Sequence, residues 1–287
     1  MKQQNFYSYQ VLYASDLYCI NDFNSYSGER HLFDLRSTSE FCINITRSGC
    51  FTYHAYRKEG EEYSSRILIE KPGCEFRVIQ EMPGIGRYTI INFTEAAYEI
   101  IKDQYRLKNY AFFNNQDIFC DIFTASPEVD YVHHCILKAV QTNRCRIEID
   151  SLVTDLVDLA MQQLNVYPIQ VKVPNSTKKY HLSTVEKAKA YLLENLTADI
   201  SLNELARHCN VSPFYFTRLF KQVCTFSPFY YLQQLRLKYA EILIRTTDLP
   251  ITDICYRSGF NRNDYFSSAF NKKFELSPSR YKSKVLR

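Results

Sequence analysis

No apolar run in this sequence approaches the roughly 18 to 20 residues that cross a bilayer. The first five residues, MKQQN, lack the apolar stretch of a secretory signal. These two absences lead to the expectation of a cytoplasmic protein with no membrane partner. No Gly-rich phosphate loop and no G-x-S-x-G elbow occurs. The ten cysteines (Cys19, Cys42, Cys50, Cys74, Cys120, Cys135, Cys145, Cys209, Cys224 and Cys255) include no C-x-x-C pair and no metal-ligand spacing. Buried, reduced thiols acting as small hydrophobes are therefore expected. Histidines are equally sparse. His31 and His54 stand alone in their segments, whereas an open metal site needs about three protein ligands. His133 and His134 are adjacent on a helix, about 100° apart, so they share no metal face. No catalytic, metal or cofactor residue is assigned, and the chain is not expected to be an enzyme.

What is present fits about two domains in 287 residues, with 46% hydrophobic content. Residues 178–287 carry 18 Lys and Arg against 9 Asp and Glu, a net +9, and the remainder is net −5. A basic third beside an acidic remainder points to a polyanion-binding domain joined to something else.

The first hundred or so residues read as β structure. Short runs rich in β-formers lie at 41–45, 51–56, 66–69, 76–79 and 88–93. Turn signals separate them at 47–49, 59–61, 71–73 and 83–86. This spacing predicts an antiparallel sandwich or small barrel, which often encloses one small ligand. Tyr53, His54, Tyr56 and Arg57 on one strand would suit sugars, aromatics or carboxylates about equally, and alternation divides the four between two faces.

From Ser126 the period changes. Ser126, Pro127 and Glu128 supply a cap, a first-turn proline and a first-turn acid, predicting a helix start. A second helix at 148–164 carries Ile149, Leu152, Val153, Leu156, Val157, Ala160 and Leu164 as one stripe. The stripe suits packing on its own barrel, a dimer interface, or both. Periodicity is lost from 166 to 180, predicting a linker. Ser183 and Glu186 then form a capping box predicted to open a helix to about Leu196.

The C-terminal part contains one device twice. At an offset of 50 residues six positions are identical: Tyr215/Tyr265, Phe216/Phe266, Phe220/Phe270, Ser227/Ser277, Pro228/Pro278 and Tyr231/Tyr281. Each copy reads as helix, tight turn, helix. In the first, Ser201 and Glu204 form a capping box, Leu202, Leu205 and Ala206 are the buried face, and Asn210 and Val211 make the turn. Ser212 and Pro213 open a recognition helix. At 100° per residue Phe216, Leu219, Phe220 and Val223 share a core arc. Phe214, Thr217, Arg218 and Lys221 share the opposite, exposed arc, suited to guanine edges, phosphates and a thymine methyl. Ser227 and Pro228 open a long helix with Leu232, Leu235, Tyr239, Ile242 and Leu243 on one side. In the second copy Ile251, Ile254 and Cys255 are buried and Gly259 makes the turn. A recognition helix is predicted from Asn261, exposing Asp264, Ser267, Ser268 and Asn271, with Arg262 and Asn263 at its leading end.

The stretches SLNELARHCNVSPFYFTRLFK, ITDICYRSGF and YFSSAFNKKFELSPSRY closely resemble the DNA-binding domain of the AraC/XylS family of bacterial transcription regulators. The resemblance covers 200–281 in order and spacing; in the N-terminal half, 71–73 before a strand is the most similar piece. It implies a seven-helix, two-headed domain preceded by a cupin-like effector-binding and dimerisation domain. The fold expected is α+β and multidomain. Residues 1–165 form an antiparallel cupin-like β-barrel with following helices, 166–180 a linker, and 181–287 an all-α domain with two helix-turn-helix motifs. The resemblance implies sequence-specific regulation, activation rather than repression, by a homodimer. Its partners would be double-stranded promoter DNA and a small-molecule effector held in the barrel, with RNA polymerase a further candidate. Where the family often has Arg and Lys in the second head, this chain has Ser268 and Asn271, and its usual Gly positions are Thr225 and Glu275. A second head with less base readout, and more phosphate contact through Arg262, Lys272 and Lys273, follows. The alternatives are a cupin-type enzyme with a DNA-binding tether, and a cysteine-based redox sensor.

Overall fold

In the computed structural model, which describes residues 6–55, 58–81, 83–164, 173 and 175–285, contacts divide the chain into two units, Met1–Glu186 and Lys187–Arg287. The first opens with strands β1 (Phe6–Ala14), β2 (Tyr18–Ser27), β3 (His31–Leu32), β4 (Arg36–Thr38), β5 (Phe41–Ser48), β6 (Cys50–Ala55), β7 (Lys58–Tyr63), β8 (Arg66–Glu70), β9 (Cys74–Gln80) and β10 (Gly84–Phe93). Helices α1 (Glu95–Gln104) and α2 (Ala111–Asn114), strand β11 (Cys120–Thr124) and helices α3 (Pro127–Gln141) and α4 (Arg146–Leu164) follow.

The strands pair antiparallel in two sheets, one in the order β1-β2-β10-β5-β8-β11, the other β3-β9-β6-β7 with β4 also on β9. Among the described residues no ladder joins the two sheets, so the expected closed, cupin-like barrel is replaced by two separate sheets. The chain itself makes the crossings. Gly49, at φ +96°, turns it from β5 in one sheet to β6 in the other, and Ser65, at φ +79°, turns it back between β7 and β8.

Alternation assigns the two faces of the larger sheet. Outward from β5 and β10, Phe41 stacks on Tyr98 of α1 with ring centroids 4.8 Å apart, and Thr89 Oγ1 lies 2.8 Å from His133 Nε2 of α3. Tyr18 OH of β2 donates to Asp150 of α4 at 2.5 Å. Helices cover that face, so β5 is buried on both sides from Phe41 to Thr46, with Asn44 and Thr46 among its buried residues. Ser126 caps α3 as expected, its Oγ accepting from Val129 N at 3.4 Å, with Pro127 in the first turn. The α4 stripe from Ile149 to Ala160 is buried within this chain, with Leu164 half-buried.

Two turn expectations need correction. Residues 59–61 lie inside β7, because Gly60 is a point of close approach: a Cβ there would meet Ile122 Cδ1 at 2.6 Å. Likewise β10 starts at Gly84, and Gly86 inside it makes room for Phe51, whose Cζ would lie 2.0 Å from an added Cβ.

Helix α5 (Asn175–Glu194) begins eight residues before the expected start at Ser183, so the last six residues of the expected linker are helical. Leu182 stays in phase with Val185, Ala188 and Leu192, all buried, and this stripe overrides the internal capping box. The rest of that linker, 173 apart, and Tyr56 and Arg57, lie outside the described residues. The second unit continues with α6 (Leu202–His208), α7 (Pro213–Cys224), α8 (Pro228–Thr246), α9 (Ile251–Arg257), α10 (Asn263–Phe274) and α11 (Pro278–Val285). Counting α5, which runs from the first unit into the second, seven helices are present here among the described residues.

Candidate nucleic-acid interface

The repeated residues build the same joint twice. Phe216 and Phe220 of α7 have centroids 5.7 Å apart, as do Phe266 and Phe270 of α10. Phe220 meets Tyr231 edge-on at 5.4 Å, and Phe270 meets Tyr281 edge-on at 5.5 Å. Each recognition helix is thereby locked to the helix that follows it by an edge-to-face aromatic contact. The repeated serines are caps: Ser227 Oγ accepts from Tyr230 N at 3.3 Å and Ser277 Oγ from Arg280 N at 3.4 Å, each before a buried first-turn proline. Tyr215 and Tyr265 serve different neighbours. Tyr215 lies 5.6 Å below the Arg218 guanidinium, and Tyr265 OH accepts from Gln233 at 2.5 Å.

The core arc of α7, comprising Phe216, Leu219, Phe220 and Val223, is buried. Its opposite arc presents Phe214, Arg218 and Lys221 to solvent and leaves Thr217 half-buried. Phe214 is 83% exposed. Thr217 Oγ1 donates back to Pro213 O at 3.0 Å, which leaves its methyl group for outward contact. Ser201 and Ser212 cap α6 and α7, but the Ser201 box is half-formed, because Glu204 accepts from Tyr191 OH at 2.7 Å.

The second recognition helix begins at Asn263, two residues later than expected. The first helices of the two heads repeat at an offset of 49 residues and the recognition helices at 50, so the second turn holds one extra residue. Arg262 becomes the cap residue and folds onto Asp264 with contacts of 3.1 and 2.5 Å. That pairing raises the Arg262 pKa and lowers that of Asp264. Asp264, Ser268 and Asn271 are exposed, while Asn263 and Ser267 are half-buried. Lys273 donates to Gln234 at 2.5 Å, and Lys272 is exposed. The outward arc of α7 thus presents Arg218 and Lys221 with no acid, whereas in the second head Arg262 is joined to Asp264 and Lys272 stands exposed.

Helix α8 joins the heads. Its 19 residues span about 28 Å. Leu232 and Leu235 are buried as expected, but Tyr239, Ile242 and Leu243 are half-buried, and Tyr231, Leu237, Ala240 and Ile244 join the core on further faces. A single stripe does not describe a helix packed by both heads; Leu237, Ala240 and Ile244 serve the second one. Arg236 donates to Leu196 O at 2.8 Å and Ala198 O at 2.7 Å, bracing the turn that follows α5. Gly259, at φ +87°, sits against that same Arg236.

A second candidate site lies between the sheets of the first unit. It is a cavity of about 230 Å³ whose lining obeys the strand period: Phe23 and Ser25 on β2, Cys42 and Asn44 on β5, Leu68 and Glu70 on β8, Tyr88, Ile90 and Asn92 on β10. Tyr53 faces into it, and His54 does not line it. Glu70 accepts from Tyr53 OH at 2.5 Å and from Asn44, yet burial still pushes its pKa up. Burial also pushes Glu62 up, to about 8. The sequence reading missed both acids. The available signal was an acid inside a wholly buried strand: Glu70 ends the run RILIE.

A helix-turn-helix domain family model matches residues 205–284. The MmsAB operon regulatory protein of Pseudomonas aeruginosa is 33% identical over 96 residues, covering 33% of this chain and 31% of that protein. The transcriptional activator RhaR of Mannheimia succiniciproducens is 26% identical over 156 residues, covering 53% of this chain and 56% of that one. The chain spans about half the length, or less, of these curated relatives. Unsaturated fatty acid-bound ToxT from Vibrio cholerae is similar over 93% of this chain and 95% of its own, at 12% identity and a TM-score of 0.39. Over residues 205–284 the chain is thus similar to the helix-turn-helix domain of AraC-type transcription regulators.

Proposed function

We propose that this chain is a sequence-specific, DNA-binding transcription activator controlled by a small molecule held between the sheets of its first unit. The observation that carries the reading is the exposed face of α7, where a fully presented aromatic stands beside Arg218 and Lys221. An exposed phenylalanine adds nothing to the stability of the helix, whereas contact with a thymine methyl gives it a use. Arg218 is suited to guanine edges and Lys221 to phosphate. Base readout belongs mainly to the first head, because Arg262 is already engaged by Asp264. Lys272 supplies phosphate contact from the second head. The active species is a homodimer in the cytoplasm, and RNA polymerase is its partner at the promoter.

The test is binding of the whole protein to the upstream region of its own gene, against random DNA, at two salt concentrations. Arg218→Ala is expected to lose about 1 to 3 kcal/mol of specific binding and to relax discrimination. Arg262→Ala is expected to leave discrimination nearly intact. Equal losses of discrimination from the two substitutions would overturn the asymmetry, and no preference for any promoter fragment would overturn the reading itself.

A further inference from the structure

The cavity between the sheets carries two acids and few cations. Glu62 is 3% exposed, and its Oε1 has no hydrogen-bond partner among the described residues. Thr46 is placed to donate a side-chain hydrogen bond to the carboxyl group, Arg66 and Glu70 act on it from β8, and Tyr88 faces it from β10. Burying a carboxyl oxygen without a donor is costly unless something else supplies one. Glu70, also buried, has donors from Tyr53 and Asn44 and keeps a spare lone pair on each oxygen. Arg36, the one cation among the described lining residues, does not answer them. Its guanidinium lies over the rings of Tyr7 and Phe23, 4.6 and 5.3 Å from their centroids. The walls between are aromatic and apolar, with Phe23, Phe76 and Tyr88 among them.

We propose that this cavity takes a small organic cation with an aromatic or apolar body, its ammonium N–H groups donating to Glu62 and Glu70. The proposal rests on reading the first unit as an effector-binding domain and names the chemical class of that effector. An ammonium group supplies the missing donor and cancels the repulsion between the two acids, and ring faces nearby favour the positive charge. The volume of about 230 Å³, at about 30 Å³ per water-sized unit, holds about eight non-hydrogen atoms. Binding draws Glu62 into its ionised form, so near neutral pH it releases a proton.

Three probes of nearly equal size separate the outcomes: benzylamine, benzyl alcohol and benzoate, titrated calorimetrically into the whole protein. Benzylamine is expected to bind tightest, with an apparent heat that changes with the ionisation heat of the buffer. Glu62→Gln is expected to weaken benzylamine by about tenfold or more and to abolish the buffer dependence. If that variant does not fold, the buffer dependence of the natural protein carries the test alone. Tighter binding of benzyl alcohol or benzoate would overturn the cation while leaving an effector domain in place. Binding of none of the three would sink the proposal and count against the effector reading as well.

Discussion

Thr225 and Glu275 end the two recognition helices in left-handed conformations, at φ +68° and +59°. A β-branched side chain is strained there, and glycine is not. Thr225→Gly is expected to stabilise the protein by about 1 kcal/mol, and Glu275→Gly by less, in denaturant melts followed by helical circular dichroism. Gly259 gives the opposite case. A Cβ there would stand 2.8 Å from Arg236 Nε and 2.9 Å from Leu196 O, at a φ of +87°. Gly259→Ala should therefore destabilise by about 2 kcal/mol or more in the same melt, by straining its own turn and displacing Arg236 from the carbonyls of Leu196 and Ala198. Glu62 adds a pH dependence. Its folded pKa of about 8 lies above the ordinary carboxylate value, so the native state holds the extra proton between the two. Stability is then expected to fall as pH rises through that window, at up to about 1.4 kcal/mol per unit, and to level off above it. Thermal melts of the natural protein and Glu62→Gln, from about pH 5 to about pH 9, check this. A variant as pH-sensitive as the natural chain would assign the dependence elsewhere.

At the scale of the element, each recognition helix is held by the helix behind it, through Phe220 on Tyr231 and Phe270 on Tyr281. Identical joints carry different faces, which lets the two heads diverge in DNA contact without changing how they fold. Lys221→Ala is expected to weaken binding uniformly across sequences and to reduce the salt slope by about 1, read from affinity against salt concentration. Glu241 of α8 links the elements further. It is buried, paired with Lys238 at 2.9 Å and Arg245 at 2.5 Å, and accepts from Tyr281 OH at 3.0 Å. Glu241→Ala should remove the contacts to Lys238, Arg245 and Tyr281 together and lower the stability of the C-terminal unit by about 3 kcal/mol in a denaturant melt.

For the whole molecule, the C-terminal organisation was legible because helical periodicity, Ser-Pro starts and a twofold repeat are local signals that tertiary packing here reinforced. Core and exposed arcs of α7 follow from 100° per residue alone. Some misreadings arose where a local signal was answered by a neighbour outside it. Gly60 looked like a turn residue but serves the approach of Ile122, and Ser183 looked like a cap but lies within a longer stripe. The late start of α10 came from one extra residue in a turn, which a fixed offset of 50 concealed. The sequence by itself determined strand parity, helix faces, caps and the basic third, since each depends on neighbours a few residues away. Only the tertiary structure decided that the strands form two sheets, that Arg262 turns onto Asp264, and that Glu62 and Glu70 meet inside one cavity. Those depend on which strands pair and which faces close together, and water exclusion there gives the two buried acids their altered chemistry.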